Sequence, residues 1–150
     1  MGHLAFETGH IGLNVTDLER SRKFYTEIFG FEILRESSTG EKQFAFLGHE
    51  GKPVLTLWKQ SQGTFPRQSP GLHHLSFQAD SIEQVKEAEI RLRRWKTNFQ
   101  YDGVVPHAEG AQSGGLFFED PDGIRLEIFA AEGAGCNPAP VHDGPTCGFF

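Results

Sequence analysis

Cysteine is scarce: Cys136 and Cys147 are the only two in 150 residues, and both lie near the end of the chain. A disulfide-stapled scaffold is therefore not expected, and reduced thiols in a cytoplasmic protein are. No apolar run approaches the ~20 residues that span a membrane. The opening MGHLAFETGH carries no basic segment ahead of an apolar one, so no secretory signal is expected. Positive charge is also in short supply, with 14 Lys and Arg against 20 Asp and Glu and a formal net charge of −6. Without a basic patch or an arginine-rich arm, nucleic acid is not an expected partner. After Ala131 hydrophobic periodicity disappears and Gly, Pro and Ala dominate, so 132–150 reads as a loose tail. A chain of this length still buries about 68–70% of its extended surface as one domain or two half-domains, enough for a core without staples.

What the chain does have is an internal echo. HIGLNVTDLE at 10–19 returns as HLSFQADSIE at 74–83. Each copy begins with a histidine, alternates as a strand does, and then offers a helix-capping pair. The first copy predicts a strand over 9–15 with His10, Gly12 and Asn14 on one face. Thr16 and Glu19 are spaced as a capping box, and Leu18, Tyr25, Ile28 and Phe29 form a helical stripe. Gly30 stands where a left-handed residue closes a helix. Strands over 31–36, 43–47 and 54–59 follow.

The second copy predicts a strand over 73–79, a cap at Asp80 with Glu83, and a helical stripe of Ile82, Val85, Ala88, Leu92 and Trp95. Asn98 is the candidate stop. Strands over 101–105, 115–119 and 124–129 complete it, the last two joined by Asp-Pro-Asp-Gly as a tight hairpin. The reading is an α+β domain over 1–131. Two βαβββ modules, about 6–59 and 72–131, form a curved mixed sheet around a metal-binding cleft with helices outside. A Ser-, Gly-, Pro- and Gln-rich linker at 60–71 joins them.

Strand alternation allows only one of His73 and His74 to face the cleft, and the match to His10 selects His74. Glu127 sits in Arg-Leu-Glu-Ile-Phe, where a carboxylate is costly unless paired or metal-bound. His10, His74 and Glu127 together form an N2O donor set with open positions, suited to Fe, Mn, Ni, Co or Zn. Such a centre can bind a substrate through its own oxygens and act as a Lewis acid. The alternatives are hydrogen-bonded sheet histidines and a Glu127 paired with Arg125 or Arg35. Thr56 occupies the place in the first copy that matches Glu127.

His107 reads either as an acid/base or substrate-orienting group or as an exposed loop histidine. Asn14, Ser76 and Gln78 share the inward face. Trp58, Phe117 and Phe129 are wall or core aromatics. Cys147 with His142 is a remote second metal candidate. The catalytic candidates are Glu127 and His107.

GHIGLNVTDLERSRKFYTEIFGFE, LHHLSFQAD and FFEDPDGIRLEIF together resemble the vicinal oxygen chelate superfamily over about residues 6–131. That superfamily includes glyoxalase I, fosfomycin- and bleomycin-resistance proteins and extradiol dioxygenases. The resemblance implies metal ligation by His10, His74 and Glu127, a small-molecule substrate and a homodimer. It implies lyase, isomerase or dioxygenase chemistry, with a fosfomycin-type thiol transferase or a non-catalytic drug binder as alternatives. Departures are specific. Glyoxalase I has a glutamate where Thr56 stands. Glutathione-using fosfomycin transferases have a threonine where Gly12 stands, and these and the extradiol dioxygenases have a tyrosine where Phe117 stands.

Overall fold

A computed structural model describes residue 2 and residues 4–150. The chain divides into two compact units, 1–63 and 64–150. In the first, β1 (Ile11–Asn14) leads to α1 (Leu18–Phe29), then β2 (Glu32–Ser37), β3 (Phe44–His49) and β4 (Lys52–Trp58). In the second, β5 (Leu75–Gln78) leads to α2 (Ile82–Arg94), then β6 (Val105–Pro106), β7 (Gly114–Glu119) and β8 (Arg125–Ala130). Each unit has its own four-stranded mixed sheet, ordered β1-β4-β3-β2 and β5-β8-β7-β6. First and last strands run parallel, while the other neighbours are antiparallel. The expected α+β pair of βαβββ modules is what forms, with a separate hydrogen-bonded sheet in each.

One face of each sheet is sealed by its helix. In the first unit Leu13, Val15, Ala45, Leu47, Leu55 and Leu57 are buried, and α1 lies against β3 and β4 with Leu18, Phe24, Tyr25 and Ile28. In the second, Leu75, Leu116, Phe118, Leu126 and Ile128 meet Val85, Ala88 and Leu92 of α2. Burying each large side chain is worth about 1.5–3 kcal/mol.

The helix ends correct the sequence reading by one or two residues. Asp17, not Thr16, caps α1, its carboxylate accepting from the Arg20 N–H at 3.0 Å. Ser81, not Asp80, caps α2, and Gln84 returns the bond through its side-chain oxygen to the Asp80 N–H at 2.8 Å. In both cases the donor three residues on decides which oxygen is in range. Gly30 closes α1 at φ 71° as expected. Asn98 does not close α2: Lys96 does, at φ 55°, with Lys96 N–H on Arg93 and Thr97 N–H on Leu92. That is the paired bonding of a Schellman end, built here on a lysine. Asn98 instead donates to Glu119 at 3.1 Å.

The Asp120–Gly123 turn forms as read. Asp120 Oδ1 accepts from the N–H groups of Asp122 and Ile124, each at 2.9 Å. The strand expected over 101–105 shrinks to Val105–Pro106, since Gly103 at φ 75° breaks the extended run ahead of it.

The segment 132–150, expected as a loose tail, is packed. Ala134, Ala139, Thr146 and Phe150 are buried. Asn137 donates to the carbonyl of Val104 at 2.8 Å, and Thr146 donates to that of Pro106 at 2.7 Å. Isolated side-chain and main-chain bonds hold it rather than a repeating ladder, so periodicity could not reveal it.

Candidate functional site

The parallel ladders fix how the two copies correspond. Gly12 pairs with Thr56 in the first unit, and Ser76 pairs with Glu127 in the second. His10 and His74 each precede the paired residue by two, so the registers match position for position. Paired residues share a sheet face, which places Phe117 beside Glu127 as well.

On the second unit Glu127 is 2% exposed, on the sheet face away from α2. Its Oε2 lies 3.3 Å from Nε2 of His74. Its Oε1 contacts Nε2 of His107 in a short hydrogen bond. His107 is then held at Nδ1 by the Ser113 hydroxyl, 2.9 Å away. His74 is held at Nδ1 by Nδ1 of His73 at 2.8 Å. The result is a chain, His73–His74–Glu127–His107–Ser113, with the carboxylate at its middle. Burial pushes the His74 imidazole below its ordinary value, against the opposing pull of Glu127, and the neighbouring His73 and Arg125 add to the lowering. His74 is thereby kept in the neutral form that ligates metals.

Arg125, 8% exposed and on the same face as Glu127, donates through Nε to the His73 carbonyl at 2.9 Å. Its Nη1 donates to the main-chain oxygen of Phe150 at 2.6 Å. The Cys147 thiol is pushed up by burial and by the charge of Glu127, so it stays protonated and unreactive near neutrality.

Of the expected residues, the structure brings together His74, Glu127 and His107. His107 is half-buried and bonded to Glu127, not the exposed loop histidine its position suggested. Glu127 does not pair with Arg125, which bonds the His73 and Phe150 main chain instead. His10 lies on the other unit, exposed, just ahead of β1. Asn14 accepts from the Gln60 N–H at 2.9 Å, and Trp58 donates to Thr56 at 2.9 Å. Phe117 is fully buried, and the ring of Phe129 stands 5.1 Å from that of His107. His142 faces Glu109 at 3.9 Å. His73, Ser113 and Arg125 join this cluster although the sequence did not place them there. Strand alternation could have found Arg125, two residues before Glu127. Nothing local marks the other two.

As they stand, no three His, Cys, Asp or Glu side chains among the described residues are grouped to hold a metal ion. The reason is visible: the two carboxylate oxygens of Glu127 turn to different imidazoles. The donor chemistry nevertheless fits. Two ligands about 2.1 Å from one ion, at octahedral to tetrahedral angles, sit about 3.0–3.4 Å apart. The His74–Glu127 spacing of 3.3 Å falls inside that window.

Residues 7–128 match the Glyoxalase/Bleomycin resistance protein/Dioxygenase superfamily. The chain belongs to that superfamily. Catechol-2,3-dioxygenase of Bacillus subtilis is 32% identical over 130 residues, which is 83% of this chain but 42% of the dioxygenase. The chain thus spans less than half of that relative. Lactoylglutathione lyase of Salmonella typhimurium is 31% identical over 135 residues, covering 84% of this chain and 93% of the lyase. A superfamily domain from Frankia sp. EAN1pec superposes with a TM-score of 0.71 at 28% identity, covering 85% and 93% of the two chains. A mutant fosfomycin resistance protein of Listeria monocytogenes, crystallised with Mn(II) and 1S,2S-dihydroxypropylphosphonic acid, shares the fold. Its TM-score is 0.65 at 22% identity, over 85% of this chain and 93% of that protein. Among the described residues, no helix of this superfamily member is long and apolar enough to cross a membrane.

Proposed function

We propose that the chain is a metal-dependent enzyme acting on a small substrate chelated through neighbouring oxygens, by lyase, isomerase or dioxygenase chemistry. His74, Glu127 and His10 are the proposed ligands, and the metal is Fe, Mn, Ni, Co or Zn. The observation carrying this reading is the buried Glu127 carboxylate within reach of the neutral His74 imidazole. A divalent ion held there supplies Lewis acidity to substrate oxygens.

The protein's own groups do the rest. A ligand bond at Nε2 of His74 requires its proton on Nδ1, and Nδ1 of His73 is in place to accept it. His107 holds the second oxygen of Glu127 through Nε2, fixing the carboxylate's orientation. Ser113 sets the His107 tautomer from the other side. His107 is also the proposed proton carrier for the substrate. Thr56 leaves the first unit without a carboxylate at the matching position, which favours three protein ligands and open sites for substrate over a fourth ligand.

The deciding experiment is elemental analysis of protein purified without oxygen, paired with Glu127→Gln. One metal per chain, lost in the variant together with turnover, is the expected result. Full metal content and activity in Glu127→Gln would overturn the assignment. Iron with oxygen uptake would select the dioxygenase branch, and nickel or zinc the lyase or isomerase branch. The expected homodimer is tested by mixing His10→Ala with Glu127→Ala chains. Recovered activity means that ligands come from two copies.

A further inference from the structure

The sheet face that carries Glu127 is roofed by residues 146–150 of the same unit. Phe150 is 7% exposed. Its ring stands edge-on to Phe117, centroids 4.8 Å apart, and to His74, 5.3 Å apart. Its main-chain oxygen takes the 2.6 Å bond from Arg125, whose guanidinium carbon also lies 5.7 Å from the ring centroid. The strap is pinned a turn earlier, where the Thr146 N–H donates to the His107 carbonyl at 2.7 Å. Phe149, next to it, is 67% exposed and makes no such seat. Beyond a single three-residue turn at Thr146–Gly148, no regular structure secures these residues.

What lies beneath Phe150 is a set of groups that recognise ligands: an aromatic floor, the imidazole proposed as a metal ligand, and a buried guanidinium fork. Phe150 fills that set with a flat ring and, two carbons beyond it, a carbonyl group. We propose that Phe150 is a displaceable internal occupant of a ligand subsite, whose external ligands are aromatic compounds with an acidic oxygen on a short side arm. The ring takes the place of the Phe150 ring on Phe117 and His74. The oxyanion takes the place of the Phe150 oxygen on Nη1 of Arg125, where a charge-assisted bond replaces a neutral one. The proposal rests on reading the His74–Glu127 face as the substrate face. It adds the substrate class and an intramolecular competitor that screens it.

The connectivity of Phe150 from ring through Cβ and Cα to the carbonyl carbon is that of 3-phenylpropanoate, which is therefore the probe. Calorimetric titration of the full chain, with chelator present throughout, keeps the readout independent of metal. Phe150→Ala is expected to bind the probe roughly tenfold or more tightly than the unmodified chain, because a buried phenyl ring no longer competes. Phe149→Ala should show no gain. Propanoate, lacking the ring, should gain nothing in Phe150→Ala, and adding Arg125→Gln should abolish the gain for the full probe. In the unmodified chain, saturating probe should speed amide hydrogen exchange across 146–150, a measurement that needs no variant to fold. Equal affinity in both chains, a gain that survives loss of Arg125, or unchanged exchange under bound probe would each overturn the proposal. So would absence of probe binding in every chain. None of those results alters the metal content that tests the proposed function.

Discussion

The two units share a topology and a register, yet they treat the same lattice point in opposite ways. At the position opposite Gly12, the first unit has Thr56, whose hydroxyl is taken by the Trp58 indole at 2.9 Å. Phe44 and Phe46 complete an aromatic patch on that face, each with its ring centroid 5.7 Å from that of Trp58. At the position opposite Ser76, the second unit has Glu127 between two imidazoles. Duplication therefore supplied two equivalent backbones, and side-chain choice made one apolar and the other ionic. A fold of this kind can change chemistry at one copy without redesigning the other.

The sharpest way to break the contrast is to erase the ionic copy. Glu127→Gln keeps the volume but removes the anion, and metal content by elemental analysis should fall to background with activity following. The converse change installs a carboxylate in the apolar copy. Thr56 is 1% exposed. Thr56→Glu should therefore lower stability by about 3–5 kcal/mol in chelator, read by urea unfolding, because the new charge is buried without an opposite partner. An unchanged unfolding midpoint would mean that the two positions are not as different as they look. His73→Phe keeps a ring beside His74 but removes its Nδ1 partner. It should weaken metal binding roughly 10–100-fold in a competition titration while leaving the unfolding midpoint little changed.

The smallest effects come from the helix ends, where the units differ in sign. Gly30→Ala should cost about 1 kcal/mol, since a Cβ at φ 71° is strained. Lys96→Gly should instead stabilise by up to about 1 kcal/mol, since φ 55° strains the residue already there. Thermal unfolding of the two variants reads both. Shifts of the same sign would remove the contrast.

The architecture was legible because its signals are periodic and repeated. The echo from His10 to His74 set the modules, but alternation did not turn His73 away from His74, because β5 begins only at Leu75 and the two imidazoles meet just ahead of it. Glu127 stood out as a carboxylate in an apolar strand. Which oxygen caps a helix was not legible, since Thr16 and Asp17, or Asp80 and Ser81, are chemically equivalent in the sequence and only backbone geometry separates them. Nor was the closure of α2 on Lys96, because nothing in a lysine announces a left-handed backbone. The partnership of His107 with Glu127 joins residues twenty apart across two strands and a loop. The seat of Phe150 joins a strand to a segment without periodicity. Contacts of both kinds arise from tertiary packing and leave no local pattern.

In each unit the first strand is paired with the last, β1 with β4 and β5 with β8. Neither sheet can close until its final strand exists. During synthesis the first unit is complete once Trp58 has emerged, while the second must wait for Ala130, roughly 70 residues later. At about 5–20 residues per second the interval is about 4–14 seconds. Through that time a finished sheet displaying Phe44, Phe46 and Trp58 stands beside a ribosome still making its twin. The closing strand of each module is thus a clock as well as a structural element.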